Sequence, residues 1–176
     1  SLRRQRQMCI RDRFVAERLG PSDEFALLAF NHGQRLLTAW TRDRDIVPAL
    51  AQPLRPSGST AIYDAITTML PLIEGRSRQR GAVVVISDGA DTASDATLRD
   101  VRAALLRSDA FVYAVGIDPP ERRAINSTVN AVALRQITDQ SGGRTLMVHD
   151  SAAAADALAD IATELNGQYL IGYDAA

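Results

Sequence analysis

The stretch VVVISDGADTAS (Val83–Ser94) decides the fold class. Its first four residues are apolar and β-branched with no polar interruption, the pattern of a strand buried on both faces of a parallel sheet. The change at Ser87 to small and acidic residues ends that strand and opens a loop. FVYAVGI (Phe111–Ile117) reads as a second buried strand and RTLMVH (Arg144–His149) as a shorter one. Helical patterns lie around them. TAIYDAITTMLPLI (Thr60–Ile73) carries Ile62, Ala65, Ile66, Met69 and Leu70 at helical spacing, and Pro71 is expected to perturb its end. A helix over residues 96–107 would place Leu98, Val101, Leu105 and Leu106 on one face. Another runs through Leu134 and Ile137 to a stop at Ser141-Gly142-Gly143. Residues 151–165 form a last amphipathic helix, and QYLIGYD (Gln168–Asp174) a final strand.

Upstream, FVAERL (Phe14–Leu19) reads as the last turns of a helix stopped by Gly20 and Pro21. FALLAF (Phe25–Phe30) and RLLTAWT (Arg35–Thr41) flank the turn residues Asn31–Gln34, which predicts a hairpin. A short helix follows over residues 43–52, and Pro53, Pro56 and Gly58 open a loop. Strands alternating with helices predict an α/β fold with a mainly parallel central sheet flanked by helices. In such sheets ligands bind beyond the carboxyl ends of the strands.

A length of 176 residues suits one domain, and a net charge of −1 gives no electrostatic reason to expect a nucleic acid partner. No apolar run reaches the roughly 20 residues of a membrane-spanning segment. With one cysteine, Cys9, no intrachain disulfide can form. Charge is uneven: Arg3, Arg4, Arg6, Arg11 and Arg13 stand against Asp12 alone, so the rest of the chain is net negative. A basic tail is one reading of this start. A secretory signal lacks its apolar stretch here. The order RRQRQMCIRD (Arg3–Asp12) resembles a translated transposase sequencing adapter. On that resemblance residues 1–13 are expected to be non-native. Residues 14–166 would be a domain truncated at its start, and 167–176 the beginning of a further region.

Two loops lie where ligands bind. Gly58-Ser59-Thr60 enters the helix that holds Tyr63 and Asp64, and Ser87-Asp88-Gly89 leaves the VVVI strand toward Asp91 and Thr92. A carboxylate at the end of a buried strand sits where a cation would offset its desolvation, and a nearby threonine hydroxyl is a neutral oxygen ligand. Magnesium takes six hard oxygens, so an Asp–Thr pair is a partial cage. The plainer readings are a helix cap for Ser59 or Thr60 and turn chemistry for Asp88-Gly89.

GSTAIYDAI (Gly58–Ile66) resembles the GGTALYDAI segment of von Willebrand factor A (vWA) domains, and VVVISDGADTAS resembles their strand-then-SDG segment. LRQITDQSGGR (Leu134–Arg144) and ELNGQYLIGYD (Glu164–Asp174) agree as well, most closely with the bacterial VWFA-related group first recognised in Acidobacteria. The resemblance implies a Rossmann-like vWA fold and a metal-ion-dependent adhesion site (MIDAS). That site joins an Asp-x-Ser-x-Ser loop after the first strand with a threonine and an aspartate. Thr60 matches the threonine and Asp88 the aspartate. Ser59, Asp64 and Asp91 are candidates for the outer shell. No Asp-x-Ser-x-Ser occurs in this sequence. The first central strand is therefore expected to be missing, and magnesium to bind weakly or not at all.

The function implied is a metal-dependent protein-binding module of a bacterial protein and not an enzyme. Its partner would supply a carboxylate, and relatives in this group are often exported. Two alternatives stand beside it: a magnesium-dependent hydrolase or phosphotransferase using Asp88 and Asp91, and a scaffolding segment that uses no metal. Against the first, no nucleophile or base with an orienting partner accompanies the pair. His32 in a turn and His149 at a strand end are each alone, Trp40 and Tyr63 read as packing residues, and Arg122 and Arg123 as a solvated loop face.

Overall fold

The structure is a computed structural model that describes residues 14–51, 59–75, 81–87, 90–118 and 129–167. Helical residues 14–18 (α1) lead into a turn at Gly20, where Asp23 Oδ2 accepts from the Gly20 N–H at 2.6 Å. β1 (Phe25–Phe30) and β2 (Gln34–Thr41) form the expected antiparallel hairpin. There follow α2 (Val47–Ala51), α3 (Ile62–Glu74), β3 (Ala82–Ser87), α4 (Leu98–Leu105), β4 (Phe111–Ile117), α5 (Ala131–Ser141), β5 (Thr145–Val148) and α6 (Ser151–Asn166). The expected strand at 168–174, Arg122 and Arg123 lie outside the described residues.

β3, β4 and β5 are a parallel sheet in that order, with Val84 opposite Tyr113 and Val115 opposite Leu146. Among the described residues the hairpin is a separate sheet. Alternation along the parallel strands divides the core in two. Val83, Val85, Val112 and Ala114 point to a cluster with Ile66, Leu70, Val101 and Ile137, so α3, α4 and α5 cover that face. Tyr113, Val115 and Ile117 pack with Ala154, Leu158 and Ile161 of α6 on the other. β3 is buried on the α3 side through Val83 and Val85, whereas Ala82, Val84 and Ile86 on the α6 side are only half-buried. The burial on both faces expected of its unbroken apolar run is therefore incomplete among the described residues.

Tyr113 is wholly buried, and its hydroxyl donates to Glu164 Oε1 at 3.1 Å. Arg144 Nε reaches the other carboxylate oxygen at 2.9 Å, so α6 is tied to both β4 and the entry of β5. Trp40, packed against the first cluster, donates from Nε1 to the Leu72 carbonyl at 2.9 Å, joining the hairpin to the last turn of α3. Pro71, expected to perturb the end of α3, lies inside its last turn, and the helix continues to Glu74. Leu70 and Ile73 are buried on either side of the proline, and this tertiary packing outweighs the lost helix bond. Leu106 is a correction to the expected apolar face. It is the C-cap of α4 and 77% exposed, one position past the last inward-facing turn.

Ser141-Gly142-Gly143 closes α5 as its composition suggests. Gly142 adopts φ +83°, the left-handed conformation that favours glycine. Ser141 Oγ accepts the Val112 N–H at 2.8 Å, which fastens the helix end to β4. A Cβ on Gly143 would lie 2.1 Å from the Val112 carbonyl oxygen, whereas one on Gly33 would meet nothing within 4 Å. Gly143→Ala is expected to destabilise the fold by at least about 1–3 kcal/mol, the usual cost of overpacking. Gly33→Ala should stay within about 0.5 kcal/mol of the parent. Urea midpoints of the two variants check this; equal midpoints would contradict the close approach at Gly143.

Candidate functional site

The three parallel strands end on one edge of the sheet, and α3, which returns antiparallel to β3, starts at that edge. Its N-cap residue is Ala61, whose methyl group cannot accept a hydrogen bond. The expectation that Ser59 or Thr60 caps this helix is therefore not met. The first-turn donors are satisfied from across the site instead. Asp91 Oδ2 accepts the Tyr63 N–H at 2.9 Å, and Ser94 Oγ accepts the Asp64 N–H at 3.1 Å while donating to Asp91 Oδ2 at 2.6 Å. Both acceptors come from the loop between β3 and α4. Carboxylates at this position also face the positive end of the helix dipole.

The loop is gripped in return. Asp64 accepts from the Asp95 N–H at 3.0 Å and from the Ala96 N–H at 2.8 Å. Thr60 is held on both sides of its backbone: its N–H donates to Thr92 Oγ1 at 3.0 Å, and its carbonyl accepts from Thr92 N at 2.8 Å and Ala93 N at 3.2 Å. The Ala61 N–H donates to the Asn31 carbonyl at 2.6 Å, bringing the β1–β2 turn to the same edge. The Thr60 hydroxyl makes no hydrogen bond among the described residues, and neither does the side chain of Ser59; both residues are half-buried.

The site residues inferred from sequence thus separate. Thr60 stands with its hydroxyl uncommitted, Asp64 and Asp91 are engaged by backbone donors, and Asp88 lies outside the described residues. Ser87, immediately before it, is buried at the end of β3. His32 is exposed on the hairpin turn, and His149 follows β5 with its Nδ1 3.1 Å from the Asp118 carbonyl. Among the described residues no three His, Cys, Asp or Glu side chains gather as metal ligands. Thr92 and Ser94 are the working residues that the sequence reading passed over. Their signal was the short polar run after Asp91, where a side chain hydrogen-bonds a few residues along its own loop. Asp91 Oδ1 accepts from the Ser94 N–H at 3.4 Å. Tyr63 and Trp40 are half-buried and pack against the core, as expected.

This fold is that of vWA domains. The sequence profile of the von Willebrand factor type A domain matches residues 3–90, half of the 176-residue chain. The chain belongs to the von Willebrand factor type A family. No curated protein sequence matches it. Among solved structures it is similar to the von Willebrand factor type A protein from Catenulispora acidiphila, at 18% identity and a TM-score of 0.77, covering 96% of this chain and 40% of that one. Proximal thread matrix protein 1 from the mussel byssus, with a zinc-occupied MIDAS motif, superposes at a TM-score of 0.70 and 14% identity, over 93% of this chain and 42% of that one. The vWF domain of the type V pili tip protein Mfa5 from Porphyromonas gingivalis does so at a TM-score of 0.70 and 12% identity, over 98% of this chain and 91% of that one. The chain therefore spans well under half the length of the first two. At these identities the likeness shows the fold.

Burial, and secondarily the Asp91 carboxylate, raises the Tyr63 phenol above its usual pKa of 10.0. A raised folded-state value means that the neutral phenol is favoured by folding. Its contribution to stability is complete below about pH 10 and is lost as pH rises through the folded pKa. Asp91→Asn removes the charge and leaves the burial, so the Tyr63 pKa should fall part of the way back. Ring carbon shifts of Tyr63 followed by NMR against pH would show this; an unchanged titration would mean that Asp91 does not act on Tyr63.

Proposed function

We propose that this chain is the core of a metal-dependent protein-binding module, with Thr60 and Asp88 supplying oxygen ligands to a divalent cation at the carboxyl edge of the parallel sheet. The observation that carries this reading is the hydroxyl of Thr60, which makes no hydrogen bond among the described residues although it stands at a helix start where a threonine would ordinarily be spent as a cap. Hydroxyl and carboxylate oxygens are hard donors, which suits magnesium. A bound cation would supply an open position for a carboxylate from a partner protein. Ser59, Asp64 and Asp91 serve the outer shell and do not touch the cation; Asp64 and Asp91 do so by holding the segments around it. The zinc-occupied MIDAS of the byssus protein supports a metal at this edge, and the pilus-tip domain supports adhesion and an extracytoplasmic setting.

The hydrolase alternative needs Asp91 as a free second carboxylate beside Asp88. Its Oδ2 already accepts from Tyr63 N and Ser94 Oγ, which argues against that role and for a module without catalysis. No helix among the described residues is long and apolar enough to cross a membrane.

Two oxygens fall short of the six that magnesium requires. Calorimetry on this chain should therefore show weak magnesium binding or none. A chain extended before residue 14 by an apolar strand ending in Asp-x-Ser-x-Ser should bind stoichiometrically. Asp88→Ala in that extended chain should abolish metal and carboxylate-partner binding while circular dichroism stays unchanged. Tight stoichiometric binding by the present chain, or partner binding that persists in EDTA, would overturn the reading; the latter is the outcome expected of a metal-free scaffold.

A further inference from the structure

We propose that the loop Asp91–Ala96 is a clasp that presents Thr60: Asp91 and Ser94 take over the capping of α3, Thr92 holds the Thr60 backbone, and the Thr60 hydroxyl is left for a ligand. This deepens the metal-site reading, on which it rests for its purpose, but its geometry can be tested without any metal. A helix start has orphan N–H groups, and a Ser, Thr or Asp just before the helix normally satisfies them with its own side chain. Here Thr60 precedes the N-cap by one residue and Ser59 by two, yet neither is used. Asp91 and Ser94 accept the Tyr63 and Asp64 N–H groups from about thirty positions away in the sequence.

The same loop fixes where Thr60 points. Three hydrogen bonds from Thr92 and Ala93 hold the N–H and the carbonyl of Thr60, so its backbone cannot rotate without breaking them. Asp64 closes the clasp by accepting from Asp95 and Ala96. Asp88, the second proposed ligand, precedes Asp91 by three residues on the same loop.

A panel of Thr60→Val, Thr92→Val, Asp91→Ala and Asp91→Asn tests this on the chain as it stands, with thermal unfolding and the three-bond NMR couplings that report the Thr60 χ1 angle. Asp91→Ala should lower Tm by about 2–4 °C, the shift expected from losing a cap in a domain of this size. Asp91→Asn keeps one acceptor oxygen and should recover most of that loss. Thr60→Val should shift Tm by less than about 1 °C, because no bond depends on its hydroxyl. Thr60 should hold one χ1 rotamer in the parent and in Asp91→Asn, and average between rotamers in Asp91→Ala and Thr92→Val. Should Asp91→Ala fail to fold, the Asp91→Asn and Thr92→Val couplings decide the question. A Thr60→Val penalty equal to that of Asp91→Ala would make Thr60 the cap and overturn the proposal. Thr60 couplings unchanged in Thr92→Val would do the same. If the clasp stands while magnesium binding never appears in the extended chain, the metal reading fails and the clasp remains.

Discussion

The N–H groups at the start of α3 must find acceptors, and the helix brings none of its own. An N-cap alanine leaves them facing the edge of the sheet, where each unsatisfied donor would cost about 1–3 kcal/mol once partly shielded from water. The loop after β3 supplies the missing oxygens, and much else follows from that. The loop has to stay close to α3, Thr60 has to sit against Thr92 and Ala93, and the carboxylates of Asp64 and Asp91 are spent on backbone donors. In this arrangement the acidic side chains are spent on holding backbone, while the Thr60 hydroxyl makes no hydrogen bond among the described residues.

The scaffold beneath explains why such an edge is stable. β3 and β4 are paired over six residues, and their alternating side chains feed two separate apolar clusters. α3 lies over one face through Ile62, Ile66, Leu70 and Ile73, so its N-terminus is delivered to the carboxyl end of β3 by core packing and not by the loop. The hairpin is fastened to α3 at both ends of the helix, by Trp40 at Leu72 and by the Asn31 carbonyl at Ala61. The exposed turn carrying His32 is thereby held beside the Thr60 edge.

Much of the fold was legible because it is encoded locally. The unbroken VVVI run, the Asn31–Gln34 turn and Ser141-Gly142-Gly143 each state their role within a few residues, and each forms the element they suggest. The vWA resemblance added the arrangement of elements, which the family match and the structural neighbours support. Legibility ended where a residue's role is set by a partner distant in sequence. Asp91 reads as a candidate for the outer shell of a metal site and proves to be the acceptor for a helix 28 residues upstream. Thr60 looks like a cap and is not one, because the cap came from elsewhere. Leu106 matches the apolar spacing of α4 but lies past its last inward turn, and Pro71, expected to perturb the end of α3, sits inside a helix that buried neighbours carry on to Glu74. Tertiary packing here decided against local preferences of about 1 kcal/mol for a cap and about 3 kcal/mol for a proline within a helix.

Native-state hydrogen exchange of the Tyr63 and Asp64 amides addresses the central claim most directly, since the first-turn N–H groups of an uncapped helix have no acceptor and exchange freely. The account expects both amides to be protected to nearly the degree of the interior of α3, through Asp91 and Ser94. Exchange of these two amides at the rate of an unstructured chain, with the rest of α3 protected, would contradict it.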